Sequence, residues 1–107
     1  MQLHYYAGRT IVRRMSDPAV LVMISLAEGP KHGYAIQRDI FAFAGVRLGP
    51  GTLYGAISRL EERGMIKARA AGGRQKPYEL TPQGTADLQD RTVLLRRLVL
   101  AADERAV

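Results

Sequence analysis

Between Gly49 and Tyr78 the chain gathers side chains suited to holding and reading a polyanion. Thr52, Tyr54, Ser58 and Arg59 put hydroxyls, a phenol and a guanidinium within two turns of one expected helix. Arg69, Arg74 and Lys76 follow on a short segment interrupted by Gly72-Gly73. A helix can offer its N-terminal residues to base edges in a major groove while cations on an adjoining hairpin reach phosphates. Gly51, Thr52, Tyr54, Gly55, Ser58, Arg59, Arg74 and Lys76 are therefore the candidate DNA-binding residues. Small residues let the helix approach closely, and the hydroxyls and guanidinium supply donors. Tyr54 can stack on a sugar or donate to a phosphate, or it can sit at the edge of the core; the first reading is favoured because Leu53, Ile57 and Leu60 already fill the core face. Arg59 can take a guanine or pair with Glu62. Arg74 and Lys76 have no acid close by until Glu79, which favours phosphate contact.

Other chemistry is poorly served. There is no cysteine, hence no disulfide frame, thiolate nucleophile or Cys-based metal site. Gly49-x-Gly51 lacks the third glycine of a dinucleotide fingerprint and a βαβ unit to carry it. Neither histidine lies near an evident serine nucleophile, so an enzyme and a bound cofactor are not expected. His4 and His32, with Glu28 and Asp39 near the latter in sequence, are the weak candidates for a divalent-metal site. They lack a spacing such as His-x-x-x-His.

Positioning these residues requires helices with sharp ends. Asp17-Pro18 opens a first helix with an N-cap and a first-position proline, and Glu28-Gly29-Pro30 stops it. Apolar all round, that helix is expected at the centre of the core. A second begins near Lys31-His32-Gly33, with Ile36, Ile40 and Phe43 as its buried face, Tyr34 in the core and Gly45 at its end. Val46-Arg47-Leu48 links it to a third helix after Gly49-Pro50, closed by Gly64. Met65–Ala71 and Lys76–Thr81 read as the two strands of a wing, braced by Tyr78. Thr81-Pro82 restarts a helix that runs to about Arg105.

The last helix bears on assembly. Leu88, Thr92, Leu95, Val99 and Ala102 step by 4, 3, 4 and 3, with Leu94, Leu98 and Ala101 alongside. Such a heptad-like seam favours pairing with a second copy through Leu88, Leu95, Leu98, Val99 and Ala102, over folding back on its own chain. The expected fold is mainly α with a small β-hairpin, a winged helix-turn-helix plus a long C-terminal dimerisation helix. Residues 1–15 form an arm or short helix, 16–81 the DNA-binding domain and 82–107 the dimerisation helix.

Composition agrees. The 107 residues suffice for one modest core, with 47% hydrophobic and 24% charged content. Sixteen Lys and Arg against ten Asp and Glu give a net +6, and the excess lies entirely before residue 82. A localised positive field favours double-stranded DNA as partner over a membrane surface. The apolar run Ala19–Ala27 is too short to span a bilayer and is bounded by helix signals, so a soluble, cytoplasmic protein is expected.

Taken in order, several motifs resemble the PadR family of bacterial winged-helix transcriptional regulators, over roughly residues 18–84. They are Leu26-Ala27-Glu28-Gly29-Pro30, His32-Gly33-Tyr34, Gly51-Thr52-Leu53-Tyr54, Leu60-Glu61-Glu62-Arg63-Gly64-Met65-Ile66 and Tyr78-Glu79-Leu80-Thr81-Pro82-Gln83-Gly84. The resemblance implies a homodimer on a pseudo-palindromic operator, usually a repressor, released by an effector that is commonly a small aromatic compound. It also implies that Thr52, Tyr54, Arg74 and Lys76 touch DNA. Gly55 departs from the bulkier residue or proline often found there, loosening the helix by about 1 kcal/mol relative to Ala. The tail is a single helix, as in the shorter members, so the ligand pocket of longer members is not implied for this chain. Two alternatives stand beside this reading. One is a ligand or metal-ion sensor with its effector site at the dimer interface, and the other is a winged-helix protein–protein adaptor.

Overall fold

The computed structural model describes residues 17–69 and 76–106. The expected N-terminal arm over residues 1–15, His4, the Gly72-Gly73 turn and Arg74 lie outside those residues. The element order is α1 (Pro18–Ala27), α2 (Gly33–Ala44), α3 (Pro50–Glu62), β1 (Ile66–Ala68), β2 (Tyr78–Leu80) and α4 (Pro82–Arg105).

α1 forms from a sequence rich in β-branched residues whose intrinsic helix preference is modest. Its ends and its burial supply what propensity does not. Asp17 Oδ1 accepts a hydrogen bond from the Ala19 N–H at 2.8 Å, Pro18 takes the first helical position, and Pro30 bars continuation. Leu21, Val22, Met23 and Leu26 are buried, and α1 packs against α2, α3, β2 and α4. Each such side chain stabilises the fold by about 1.5–3 kcal/mol. The expected central helix is thus observed, with Ile24 alone among its large side chains left partly exposed.

α2 corrects two expectations. Its buried line is Gly33, Ile36 and Ile40, whereas Phe43 is 45% exposed and Tyr34 is 66% exposed. At 100° per residue Tyr34 lies nearly opposite the Ile36 and Ile40 face. The far end of the core is closed instead by Val46 and Leu48, brought in after Gly45 turns the chain in the left-handed region (φ 68°).

α3 ends as the sequence predicts. Gly64 adopts φ 73° and its N–H bonds to Glu61 O, while the Met65 N–H bonds to Leu60 O at 2.9 Å, which together close the helix as a Schellman turn. The chain then enters an antiparallel hairpin with Ile66 opposite Leu80, Lys67 opposite Glu79 and Ala68 opposite Tyr78. Both strands are shorter than expected. Pro77 has no N–H to offer the ladder, although its carbonyl still accepts from the Arg69 N–H at 2.7 Å. On the other edge of β2, Lys31 exchanges two backbone hydrogen bonds with Tyr78, at 3.0 and 2.9 Å, and so acts as a one-residue third strand.

Thr81 caps α4. Its Oγ1 accepts from the Gly84 N–H at 3.0 Å and donates to Gly64 O at 2.6 Å, linking the end of α3 to the start of α4. Leu88 packs against the core, so the helix is anchored at its first turns. From Val93 to Leu100 its side chains are exposed. Among the described residues no helix is long and apolar enough to cross a membrane.

Candidate nucleic-acid interface

The two faces of α3 separate cleanly. Leu53, Ala56, Ile57 and Leu60 are buried, while Gly51, Thr52, Tyr54, Ser58 and Arg59 are exposed and Gly55 is half-buried. Gly49 caps the helix without a side chain and its first turn holds no acid. The opening N–H groups of a helix in that state favour an anion. Arg59 makes no ion pair with Glu62. Its Nη1 lies against Gly55, 3.4 Å from where a Cβ would stand, so the small residue lets the guanidinium lie along the helix surface.

Tyr54 has a seat as well as an exposed edge. Its ring and hydroxyl rest on Gly33, the first residue of α2, where any Cβ would collide with them. About half its surface remains exposed. The two readings of Tyr54, contact residue and core-edge residue, therefore combine in one geometry: the helix start of α2 fixes the ring, and the other side faces solvent. Nearby, the Tyr78 hydroxyl is pushed above the usual tyrosine range, first by burial, then by the negative charge of Glu61 and by Tyr54. Tyr78 braces the wing against the body as expected, through its backbone bonds to Lys31 and its packing on the core.

On the wing, Lys76 is exposed. Lys67 of β1 and Arg69 just after it stand on the outward face of the hairpin, and both approach Glu79, at 3.6 and 3.7 Å. The sequence does not display this arrangement, because it depends on the register of the hairpin. A second unexpected feature is the outward face of α2, where the Arg38 guanidinium lies 5.7 Å from the Tyr34 ring centre and that of Arg47 lies 5.0 Å from Phe41. Cation–π stacking of this kind keeps aromatic surface beside positive charge. Helical spacing from Ile36 would have placed Tyr34 there.

A metal site gains no support from the neighbours of His32. Asp39 accepts a hydrogen bond from Ser25 Oγ at 2.7 Å and lies 3.8 Å from Lys31 Nζ, and Glu28 also faces Lys31. Among the described residues no group of three or more His, Cys, Asp or Glu could hold a metal ion. His32 is the N-cap residue of α2, and its Nδ1 is buried without a partner among the described residues.

The proposed dimerisation residues fall into two groups. Leu88 is half-buried against its own core, whereas Leu95, Leu98, Val99 and Ala102 are exposed, together with Val93, Leu94 and Leu100.

A helical body around α1, a third helix with a polar outer face, a hairpin behind it and a long final helix define a winged helix-turn-helix protein with a C-terminal extension. The model of the transcriptional regulator PadR-like family matches residues 20–90. The chain belongs to the PadR-like family, whose members are transcriptional regulators and not enzymes. A PadR family transcription regulator from Clostridium difficile is 25% identical, with a TM-score of 0.74 over 84% of this chain and 98% of that one. Bacillus subtilis PadR, solved in complex with operator DNA, is 24% identical, with a TM-score of 0.61 over 70% of this chain and 46% of that one. An uncharacterized 37.1 kDa protein in transposon TN4556 of Streptomyces fradiae is 44% identical over 94 residues, 88% of this chain. The chain spans only about a quarter of that relative's length, 27%.

Proposed function

We propose that this chain is a sequence-specific DNA-binding transcriptional regulator that acts in the cytoplasm as a homodimeric repressor on a pseudo-palindromic operator. The observation that carries the reading is the divided surface of α3. Its apolar stripe is spent on the core, and its outer face of Gly51, Thr52, Tyr54, Ser58 and Arg59 is exposed, with Tyr54 seated on Gly33 and Arg59 lying along Gly55. In this reading residues 16–81 read DNA, with Arg74 and Lys76 on phosphates, and residues 82–107 pair two copies. The exposed row from Leu94 to Ala102 supports that pairing, since water otherwise covers it. Pairing would set two α3 helices about one DNA turn apart, roughly 34–36 Å. The B. subtilis relative, solved with operator DNA, supports DNA as the partner.

Release by a small-molecule effector, of which an aromatic compound is the first candidate, would follow if it favoured a dimer whose α3 helices miss that spacing, a coupling of about 1–3 kcal/mol. A groove of about 660 Å³ between α1, β2 and α4, lined by Ala27, Leu80, Leu88, Thr92, Val93 and Arg96, offers space near the expected dimer contact. The test is selection of bound duplexes from a random library, then anisotropy on the winner across a salt series with wild type and Tyr54→Ala. An inverted repeat, bound less tightly as salt rises and weakened by the substitution, is the expected result. Recovery of no preferred sequence would refute the reading and favour a protein–protein adaptor.

A further inference from the structure

We propose that Glu79 is a specificity-determining residue of the wing, a built-in counter-ion that restrains binding to DNA of arbitrary sequence. The inference rests on the DNA-reading function proposed above. Alternation along the hairpin puts Lys67, Arg69 and Glu79 on one face, opposite the face where Ile66, Tyr78 and Leu80 pack on the core. Glu79 stands directly across from Lys67 in the register. Its two oxygens divide their attention, with Oε1 3.6 Å from Lys67 Nζ and Oε2 3.7 Å from Arg69 Nε. The cations are mostly exposed, at 63% and 55%, and the carboxylate is less so, at 29%.

Exposed ion pairs at such distances add little to stability, so the fold gives no strong reason for an acid here. The consequence for a polyanion is larger. Binding to arbitrary sequence is driven by phosphates neutralised and counter-ions released, and a cation already facing a carboxylate contributes less to that count. Glu79 therefore weakens Lys67 and Arg69 as phosphate ligands and adds a negative charge to the surface that meets DNA. The two binding modes feel this differently. On a random duplex the wing can slide until its cations meet phosphates, so freeing them is worth their full effect. On the operator the base contacts of α3 fix where the wing lies, and freed cations gain only what that fixed position offers. Removing the carboxylate charge should thus favour random DNA over operator.

The experiment compares wild type with Glu79→Gln by anisotropy on the selected operator and on a scrambled duplex of equal length, across a salt series. The variant is expected to bind the scrambled duplex more steeply with salt, by about 0.9 to 1.8 in the logarithmic slope for one or two additional phosphates. At 0.1 M salt one additional phosphate corresponds to about an eightfold gain relative to the 1 M reference. The preference for operator is expected to fall by about threefold or more. Adding Lys67→Gln and Arg69→Gln to the same chain should remove the steeper slope, which a merely structural role would not do. An unchanged melting temperature in Glu79→Gln would support the view that the carboxylate acts on DNA and not on the fold. Equal gains on both duplexes, no change on either, or weaker binding to both would overturn the proposal while leaving DNA reading intact. If wild type itself did not distinguish operator from scrambled DNA, the DNA-reading function would fail, and this proposal with it.

Discussion

Replacing Gly33 by alanine should leave the fold intact and damage DNA binding, because the glycine holds open the seat of Tyr54. Gly33 begins α2 in ordinary helical geometry, so alanine meets no backbone objection and gains up to about 1 kcal/mol of helix preference. Its Cβ, however, would stand 2.8 Å from Tyr54 Cζ and 3.0 Å from Cε1, with the hydroxyl closer still. Ordinary carbon contacts lie near 3.5–4.0 Å, so the ring must retreat by about 1 Å. Half-exposed, it can swing outward at little cost to the core. What is lost is the position of the hydroxyl. A hydrogen bond from a tyrosine to a phosphate is worth about 1.5–3 kcal/mol, or roughly 10- to 150-fold in Kd. Gly33→Ala should forfeit about tenfold of operator affinity with a melting temperature at or slightly above that of wild type. A double-mutant cycle with Tyr54→Ala isolates the cause. In the Tyr54→Ala background the second substitution should cost nothing, giving a coupling as large as the single effect. Losses that simply add, or an operator affinity untouched by Gly33→Ala, would refute the claim that Gly33 acts through Tyr54.

Three further outcomes are expected. Gly84→Ala should destabilise the chain by about 3 kcal/mol, because its Cβ would press on the carbonyl of Met65, which is backbone and cannot swing away. Thermal melts should show a fall of about 10 °C or more, and no fall would contradict the docking of α4 on that turn. Tyr78, whose pKa is raised by burial and then by Glu61 and Tyr54, should contribute stability that is fully present below about pH 10 and lost as pH rises through its folded-state value. The folded chain keeps a proton there that the unfolded chain releases, so urea midpoints of wild type should fall more between about pH 9 and 11 than those of Tyr78→Phe. Replacing exposed Leu95 and Leu98 together by aspartate should give a monomer in sedimentation analysis with an unchanged fold, whereas wild type sediments as a dimer at micromolar concentration.

Local chemistry made most of the helix boundaries legible. Asp17-Pro18, Gly49-Pro50 and Thr81-Pro82 each place proline at a first helical position, and Gly45 and Gly64 end helices in the left-handed region. These signals act within a few residues and need no knowledge of tertiary structure. The buried stripe of α3 was equally readable, because Leu53, Ile57 and Leu60 recur at helical spacing and all three reach the core. Helical spacing also places Tyr34 opposite Ile36, where it is found, but Phe43 was not readable in this way. An apolar or aromatic residue at the edge of a helical stripe goes inward only if the neighbouring chain leaves room, and Val46 and Leu48 occupy that end of the core. Leu88 belongs to the same seam as Leu95 by spacing, yet it lies over the protein's own core while Leu95 lies beyond it. Periodicity identifies a face, and the length of the body beneath decides how much of the face is covered. The seat of Tyr54 on Gly33 and the pairing of Glu79 with two cations were invisible for a related reason. Both join residues from different elements, and only the packing of α2 on α3 or the register of the hairpin brings them together.

Those cross-element contacts also explain why the wing and α3 share one frame. β2 is held between β1 and Lys31, so its direction is fixed at its base by Tyr78. Lys31 is itself fixed, since its ammonium donates to the Ser25 carbonyl at the end of α1 and faces Asp39 on α2. Two residues on, Gly33 seats Tyr54 of α3. Lys67, Arg69 and the hydroxyl of Tyr54 are thus referred to the same short stretch, residues 31–33. Hydrogen bonds that are partly buried resist small displacements better than exposed ion pairs do, because loosening them leaves polar groups without partners. A helix and a hairpin base tied in this way can meet a groove and its flanking phosphates in one frame, so binding need not order Lys67 and Arg69 relative to α3.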